Sequence, residues 1–231
     1  MDKSQKAIFI IIASFSTIIF GIILVFIATK NLNMQNFDNT IAKFFSSNRV
    51  RFFDYLFVIF SYLGESYTIA IFCGVLLILP NRKKIGLPVT TIVIVSLAIN
   101  FAIKHIVLRA RPSGLFLTEP TLFYNFPSGY SFPSGHSQTA VVFYMALALT
   151  LADNYKKGKL ACLLSGVFLA TMLSLARVYL CVHYLSDVTG GLCLAIALLS
   201  IGYLAYDKFF NRTIPTEQTA KKLVLNNYNR L

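Results

Sequence analysis

Six apolar runs, most of them about as long as a bilayer core is thick, leave this chain few ways to fold. They are Ala7 to Thr29, Tyr55 to Leu79, Ile85 to Leu108, about Ser134 to Ala152, Leu160 to Leu180 and Tyr184 to Tyr206. A helix needs about 20 residues to cross the hydrocarbon core, and in lipid it must satisfy its own backbone hydrogen bonds. The expected fold class is therefore all-α, an integral-membrane bundle of six transmembrane helices. The first run is too long for the core of a signal peptide and has no small-residue cleavage site, so it reads as a retained span. The second is interrupted at Gly64-Glu65-Ser66, which predicts a short interfacial helix leading into a span. With 231 residues, the chain suits one bundle: a single membrane-embedded domain over 1–206 and a polar cytoplasmic tail over 207–231. No fixed-period repeat or low-complexity stretch is visible.

The net charge is +12, yet no basic stripe interleaved with aromatics occurs outside the apolar runs. The charge therefore points to topology and anionic lipid, and nucleic acid is not an expected partner. Lys3, Lys6, Arg82, Lys83, Lys84, Lys156, Lys157, Lys159 and the tail basics Lys208, Arg212, Lys221, Lys222 and Arg230 fall at one set of span ends. The opposite set has Lys30, Lys43, Arg49 and Arg51 besides the motif cations. By the positive-inside rule the first set is cytoplasmic, which puts both termini inside. Tryptophan is absent, so Tyr and Phe take the interfacial anchoring. Cys73, Cys162, Cys181 and Cys193 lie in or beside apolar runs without a CxxC pair, which suggests neither zinc nor a disulfide framework.

Three short stretches carry chemistry, and this topology puts all three at the non-cytoplasmic span ends. Pro133-Ser134-Gly135-His136 opens the fourth run. A helix start there offers unpaired N–H groups and a partial positive charge to an anion. Gly135 lets backbone approach a ligand, and His136 sits in the first turn. Lys104 and Arg111-Pro112 end the third run; arginine grips phosphate oxygens through a planar fork, and lysine acts as a point charge. His105 and Arg109 do not share a helix face with that pair and read as structural. In the last stretch, Arg177 precedes His183 and Asp187, which are spaced i, i+4 and so share one helix face. A carboxylate on one ring nitrogen fixes the tautomer and leaves the other nitrogen free to attack. Each stretch alone has an ordinary reading as cap, snorkelling cation or ion pair. Ionisable groups next to spans are costly, and a full set at one face points to function. The residues themselves leave open which histidine attacks.

The motifs read KHIVLRARP over 104–112, PSGH over 133–136 and ARVYLCVHYLSD over 176–187. In order, spacing and placement they resemble those of the type 2 phosphatidic acid phosphatase superfamily of integral-membrane lipid phosphatases. The resemblance covers the six-span core. One position departs: Ala176 stands where the family has serine, which removes a hydroxyl contact and bears on affinity or substrate preference. The resemblance implies that His183 is the nucleophile forming a phosphohistidine, that Asp187 orients it and that His136 is the general acid. It further implies that Lys104, Arg111, Ser134, Gly135 and Arg177 bind the phosphoryl oxygens. The implied partners are the bilayer and a membrane lipid phosphate: phosphatidic acid, phosphatidylglycerophosphate or undecaprenyl diphosphate. The expected location is a bacterial plasma membrane, with the site outward and no obligate protein partner.

Three fixed cations and one committed carboxylate predict catalysis without a metal or other cofactor. A phosphotransferase passing the group to another acceptor is the closest alternative. An anion transporter would call for charges in mid-span, and the related haloperoxidases are soluble. Glu65 has no assigned partner and reads as structural or interfacial. Tyr124, Tyr130 and Phe132 are placed to shape a lipid entrance.

Overall fold

The structure is a computed structural model, and it describes residues 3–112, 128–155 and 158–209. All regular structure among them is helical. The elements are α1 (Lys3–Ala28), α2 (Leu32–Ser47), α3 (Arg51–Leu63), α4 (Ser66–Ile78), α5 (Leu87–Val107), α6 (Gly135–Ala140), α7 (Ala146–Asn154), α8 (Lys159–Tyr179) and α9 (Leu185–Phe209). A π-helical turn, Arg82–Gly86, leads into α5, and another, Val141–Met145, joins α6 to α7.

Four helical segments are long and apolar enough to cross a membrane: Lys3–Ala28, Arg82–Val107, Lys159–Tyr179 and Leu185–Tyr206. The α3–α4 pair, bent by 47° at Gly64-Glu65, makes a fifth if counted as one span. The remaining expected span corresponds to Gly135–Asn154. Its π turn divides it into two short helices, and its first turn, Gly-His-Ser-Gln, is polar. The outer faces carry exposed apolar side chains, among them Ile11, Phe15, Ile94, Leu160 and Leu164. Such a surface is stable against lipid tails rather than water.

The short α6–π–α7 run is the central element. Ala140, Val142 and Phe143 are buried among Ile69, Val89, Val93, Leu173 and Ala195 of the surrounding helices. The π turn falls in this core run, and such turns recur at functional sites.

The bundle has two distinct ends. At one, Tyr206 donates to the Lys84 carbonyl at 3.1 Å and Asn81 donates to the Tyr155 hydroxyl at 2.7 Å. This brings the Arg82–Gly86 turn against the end of α7 and the last turns of α9. The other end is layered by α2 and α3. There the Tyr179 hydroxyl donates to the Val50 carbonyl at 3.1 Å, and Asp38 of α2 accepts from the Ser186 N–H at 3.0 Å. Tyr124, Lys156, Lys157 and the tail basics from Arg212 onward lie outside the described residues.

Candidate active site

All three motif stretches meet at the end layered by α2 and α3. Helix α5 stops at Leu108, whose left-handed backbone (φ 54°) turns the chain toward Arg109 and Arg111. Ser134 caps α6 through its own hydroxyl, which accepts from the Ser137 N–H at 3.4 Å. The Pro-Ser-Gly-His segment is then pinned from two sides. The Ser134 N–H donates to the Asp187 carbonyl at 3.0 Å. On the other side, Asn100 donates to Gln138 Oε1 at 2.6 Å, and Gln138 donates to Ser96 Oγ at 2.7 Å, a buried polar bridge from α5 to α6. Gly190 and Gly191 permit the fit against α9: a Cβ on Gly191 would stand 2.7 Å from the Ser134 carbonyl oxygen, and one on Gly190 2.5 Å from the Phe132 ring.

His183 occupies the short connection between α8 and α9 and is 2% exposed. Its Nε2 faces Arg111 Nη1 at 2.9 Å. A guanidinium only donates, so Nε2 holds the lone pair and Nδ1 carries the proton. Nδ1 lies 3.5 Å from Asp187 Oδ2 and 3.3 Å from Ser131 Oγ. The Ser131 hydroxyl donates in turn to Asp187 Oδ2. Serine 131 thus stands between the imidazole and the carboxylate. Burial, then the charges of Arg111, Lys104 and Arg177, holds the imidazole well below its ordinary value of 6.5. The ring is kept neutral, the form with a lone pair to give.

Asp187 is fully buried and further fixed by the Tyr184 N–H at 2.9 Å and by Arg109 Nη1 at 2.6 Å. Arg109 also reaches Asp38 Oδ2 at 2.7 Å, and its guanidinium lies 4.4 Å from the centre of the Tyr184 ring. One arginine therefore joins α2 to the start of α9. Ser186 donates to Asp38 through both its N–H and its hydroxyl.

The cations approach the same place from three elements. Arg111 donates through Nε to the Gly129 carbonyl at 3.1 Å and through Nη1 to that of Val182 at 2.9 Å. Lys104 Nζ donates to the Tyr130 and Ser131 carbonyls at 2.7 and 3.2 Å. Arg177 is wholly buried and donates to Ser61 of α3, while its carbonyl accepts from the N–H groups of Val182 and His183 at 3.2 Å each. His136 enters from the first turn of α6, with Nε2 3.2 Å from Glu65 Oε1. Gly135 lies beside Asn100 and Lys104, where an added Cβ would approach them at 3.3 and 3.9 Å.

The structure thus gathers Lys104, Arg111, Ser134, Gly135, His136, Arg177, His183 and Asp187 at one end of the bundle. His105 Nδ1 lies 2.8 Å from the Phe101 carbonyl oxygen of its own helix, and Arg109, read from the sequence as structural, bonds to the Asp187 carboxylate beside His183. Phe132 departs from its expected role at a lipid entrance: it is fully buried, stacked on Phe20 with centroids 5.8 Å apart. Tyr130 remains part-exposed at the edge. Sequence reasoning missed Ser131, Asp38, Asn100, Gln138 and Ser61. Only Asp38 left a signal, as one of nine acids in a strongly basic chain. No group of three or more His, Cys, Asp or Glu side chains at metal-binding spacing occurs among the described residues.

The family model of the PAP2 superfamily matches residues 85–211, more than half of the chain and all three motif stretches. The chain belongs to the PAP2 superfamily. Phosphatidylglycerophosphatase B of Bacillus subtilis is 30% identical over 100 residues, which span 43% of this chain and 47% of that relative. The crystal structure of the first transmembrane PAP2 type phosphatidylglycerolphosphate phosphatase from Bacillus subtilis superposes with a TM-score of 0.73 at 24% identity. It covers 85% of this chain and 96% of its own. LpxE of Aquifex aeolicus superposes with a TM-score of 0.56 at 23% identity, over 71% of this chain and 93% of its own. At these identities the superpositions show the fold: this is a multi-pass membrane protein with the helical PAP2 architecture.

Proposed function

We propose that this PAP2 protein is a lipid phosphatase that removes the terminal phosphoryl group of a membrane lipid through a phosphohistidine at His183. The observation that carries the reading is the geometry of His183. Its lone-pair nitrogen faces Arg111, a residue suited to phosphate, while its protonated nitrogen is backed by Ser131 and Asp187. That is an activated nucleophile beside a phosphate cradle.

Arg111 turns from Nε2 to the phosphoryl oxygens as substrate enters, and Lys104, Arg177, Ser134 and the Gly135 backbone complete the cradle. Nε2 attacks phosphorus, and the P–N bond forms as the bond to the lipid oxygen breaks. His136, as imidazolium, gives its proton to that oxygen, so the lipid leaves as an alcohol (or, from a diphosphate, as the monophosphate). His136, now neutral, takes a proton from water. The water oxygen attacks phosphorus, the P–N bond breaks, and inorganic phosphate leaves with Nε2 restored. Lys104, Arg111 and Arg177 stabilise the developing charge without a metal ion.

In the proposed topology, six spans with both termini cytoplasmic, the site faces outward from a bacterial plasma membrane. Among lipid phosphates, phosphatidylglycerophosphate is the first to try, because the Bacillus subtilis relatives are named for it; phosphatidic acid and undecaprenyl diphosphate follow. The test is phosphate release by purified protein across that panel, with His183→Ala as control. Release from at least one lipid, abolished in the variant, is expected. No release from any, or full turnover by His183→Ala, contradicts the reading. Parallel assays with and without acceptor lipids separate hydrolysis from phosphoryl transfer.

A further inference from the structure

The mechanism above leaves Glu65 unused. It stands at the break between α3 and α4, in extended conformation at the N-cap of α4, and its side chain makes no capping hydrogen bond to that helix. Instead Oε1 lies 3.2 Å from His136 Nε2. The break is built to allow this approach. A Cβ on Gly64 would stand 3.2 Å from His136 Cδ2 and 2.6 Å from Leu173 Cδ2, so only glycine lets the ring come so close without a shift. The break is tied down as well: the Tyr144 hydroxyl donates to the Leu63 carbonyl at 2.9 Å, and the Thr68 hydroxyl to that of Tyr62 at 2.7 Å. The side chains are 18% and 25% exposed, while the His136 Nε2 that faces Glu65 is itself buried.

The electrostatics explain the need for an acid here. The same end of the bundle carries Arg111 and Arg177, and two positive charges disfavour a third cation beside them. A general acid must nevertheless carry its proton when the lipid oxygen departs. Glu65 is the anion that faces His136, and its charge opposes those of the two arginines. With Nε2 turned to the carboxylate, Nδ1 is left as the donor.

We infer that Glu65 is a positioning residue for His136, orienting the ring and holding it as imidazolium so that Nδ1 protonates the leaving oxygen of the lipid. The inference rests on the general-acid assignment of His136. It extends the site to the α3–α4 break, which the three sequence motifs do not include.

The test is leaving-group dependence in the full-length purified protein. An alkyl lipid phosphate needs its leaving oxygen protonated, whereas a long-chain nitrophenyl phosphate releases a stable phenolate and needs little help. Wild type, His136→Ala, Glu65→Gln and Glu65→Asp are compared on both. His136→Ala is expected to lose on the order of 10² to 10⁴-fold in kcat on the alkyl phosphate and far less on the aryl one. Glu65→Gln should show the same selectivity with a smaller loss, about 10 to 100-fold, and Glu65→Asp, which keeps the charge, should recover part of it. Equal loss on both substrates in Glu65→Gln, or no loss, overturns the inference while His136→Ala remains selective. Equal loss on both in His136→Ala overturns the general-acid assignment itself, and the role of Glu65 with it. Should Glu65→Gln not fold, Glu65→Asp decides: an alkyl-selective loss supports the role, and a non-selective or absent one overturns it.

Discussion

Arg111 Nη1 donates to His183 Nε2 at 2.9 Å, so the nitrogen proposed to attack phosphorus is covered by a side chain suited to hold the phosphate. The contact fixes the tautomer. It also means that substrate must draw the guanidinium away before a P–N bond can form, which couples phosphate binding to exposure of the nucleophile.

The other side of the ring sets the first prediction. Asp187→Asn keeps the shape but removes the charge that holds Nδ1–H, and kcat is expected to fall about 10³ to 10⁴-fold. Ser131→Ala removes the hydroxyl between ring and carboxylate, and a fall of about 10-fold is expected, the worth of one hydrogen bond. Steady-state phosphate release measures both. Equal effects would contradict the ordering of roles.

Arg109 predicts a loss of stability. Its side chain is 9% exposed and bridges two fully buried carboxylates, Asp38 at 2.7 Å and Asp187 at 2.6 Å. Arg109→Met leaves two uncompensated buried charges, a change that costs about 3–5 kcal/mol. Thermal unfolding in detergent should show a clear drop, with Asp38→Asn giving a smaller one. A wild-type unfolding temperature for Arg109→Met would contradict this bridge.

The apolar runs gave four of the long helices to within a few residues, because hydropathy is a sum over many side chains and tolerates local detail. The motif residues were legible because Lys104, Arg111, His136, Arg177, His183 and Asp187 are charged or titratable groups at span ends. Helices α2 and α3 were only partly legible: α2 is amphipathic and short, and its one buried acid, Asp38, finds its partner 71 residues away in Arg109. Ser131, Asn100 and Gln138 carry no signal, since an uncharged polar residue gains meaning only from its partner across the bundle. Glu65 could be noticed but not assigned, because the bend that turns it to His136 depends on how α3 and α4 pack.

The pH dependence follows from His183. Burial and three neighbouring cations lower its proton affinity well below the ordinary 6.5, so the neutral nucleophile persists as pH falls through that value. The acid limb of kcat/KM attributable to this ring is expected below pH 6.5, and in Arg111→Gln it should move upward as one opposing charge is lost. The linkage has a matching sign. Below pH 6.5 the unfolded chain binds a proton at this histidine that the folded chain refuses, so stability declines from there toward the folded value. A limb at or above 6.5 in the wild type would contradict the assigned electrostatics.

Charge stabilisation by Lys104, Arg111 and Arg177 predicts full activity in EDTA and no stimulation by magnesium. Vanadate, which adopts the five-coordinate geometry of the phosphorus in flight, should inhibit competitively. A strict divalent requirement in purified protein would contradict the proposed chemistry.

The most direct measurement is a trapped intermediate. Purified protein mixed with lipid carrying a ³²P-labelled terminal phosphate, quenched in alkali within a turnover and mapped by proteolysis, should hold label on the peptide bearing His183. That label should be stable to base, labile to acid and absent in His183→Ala. Label on the His136 peptide, or turnover in His183→Ala, would contradict the account.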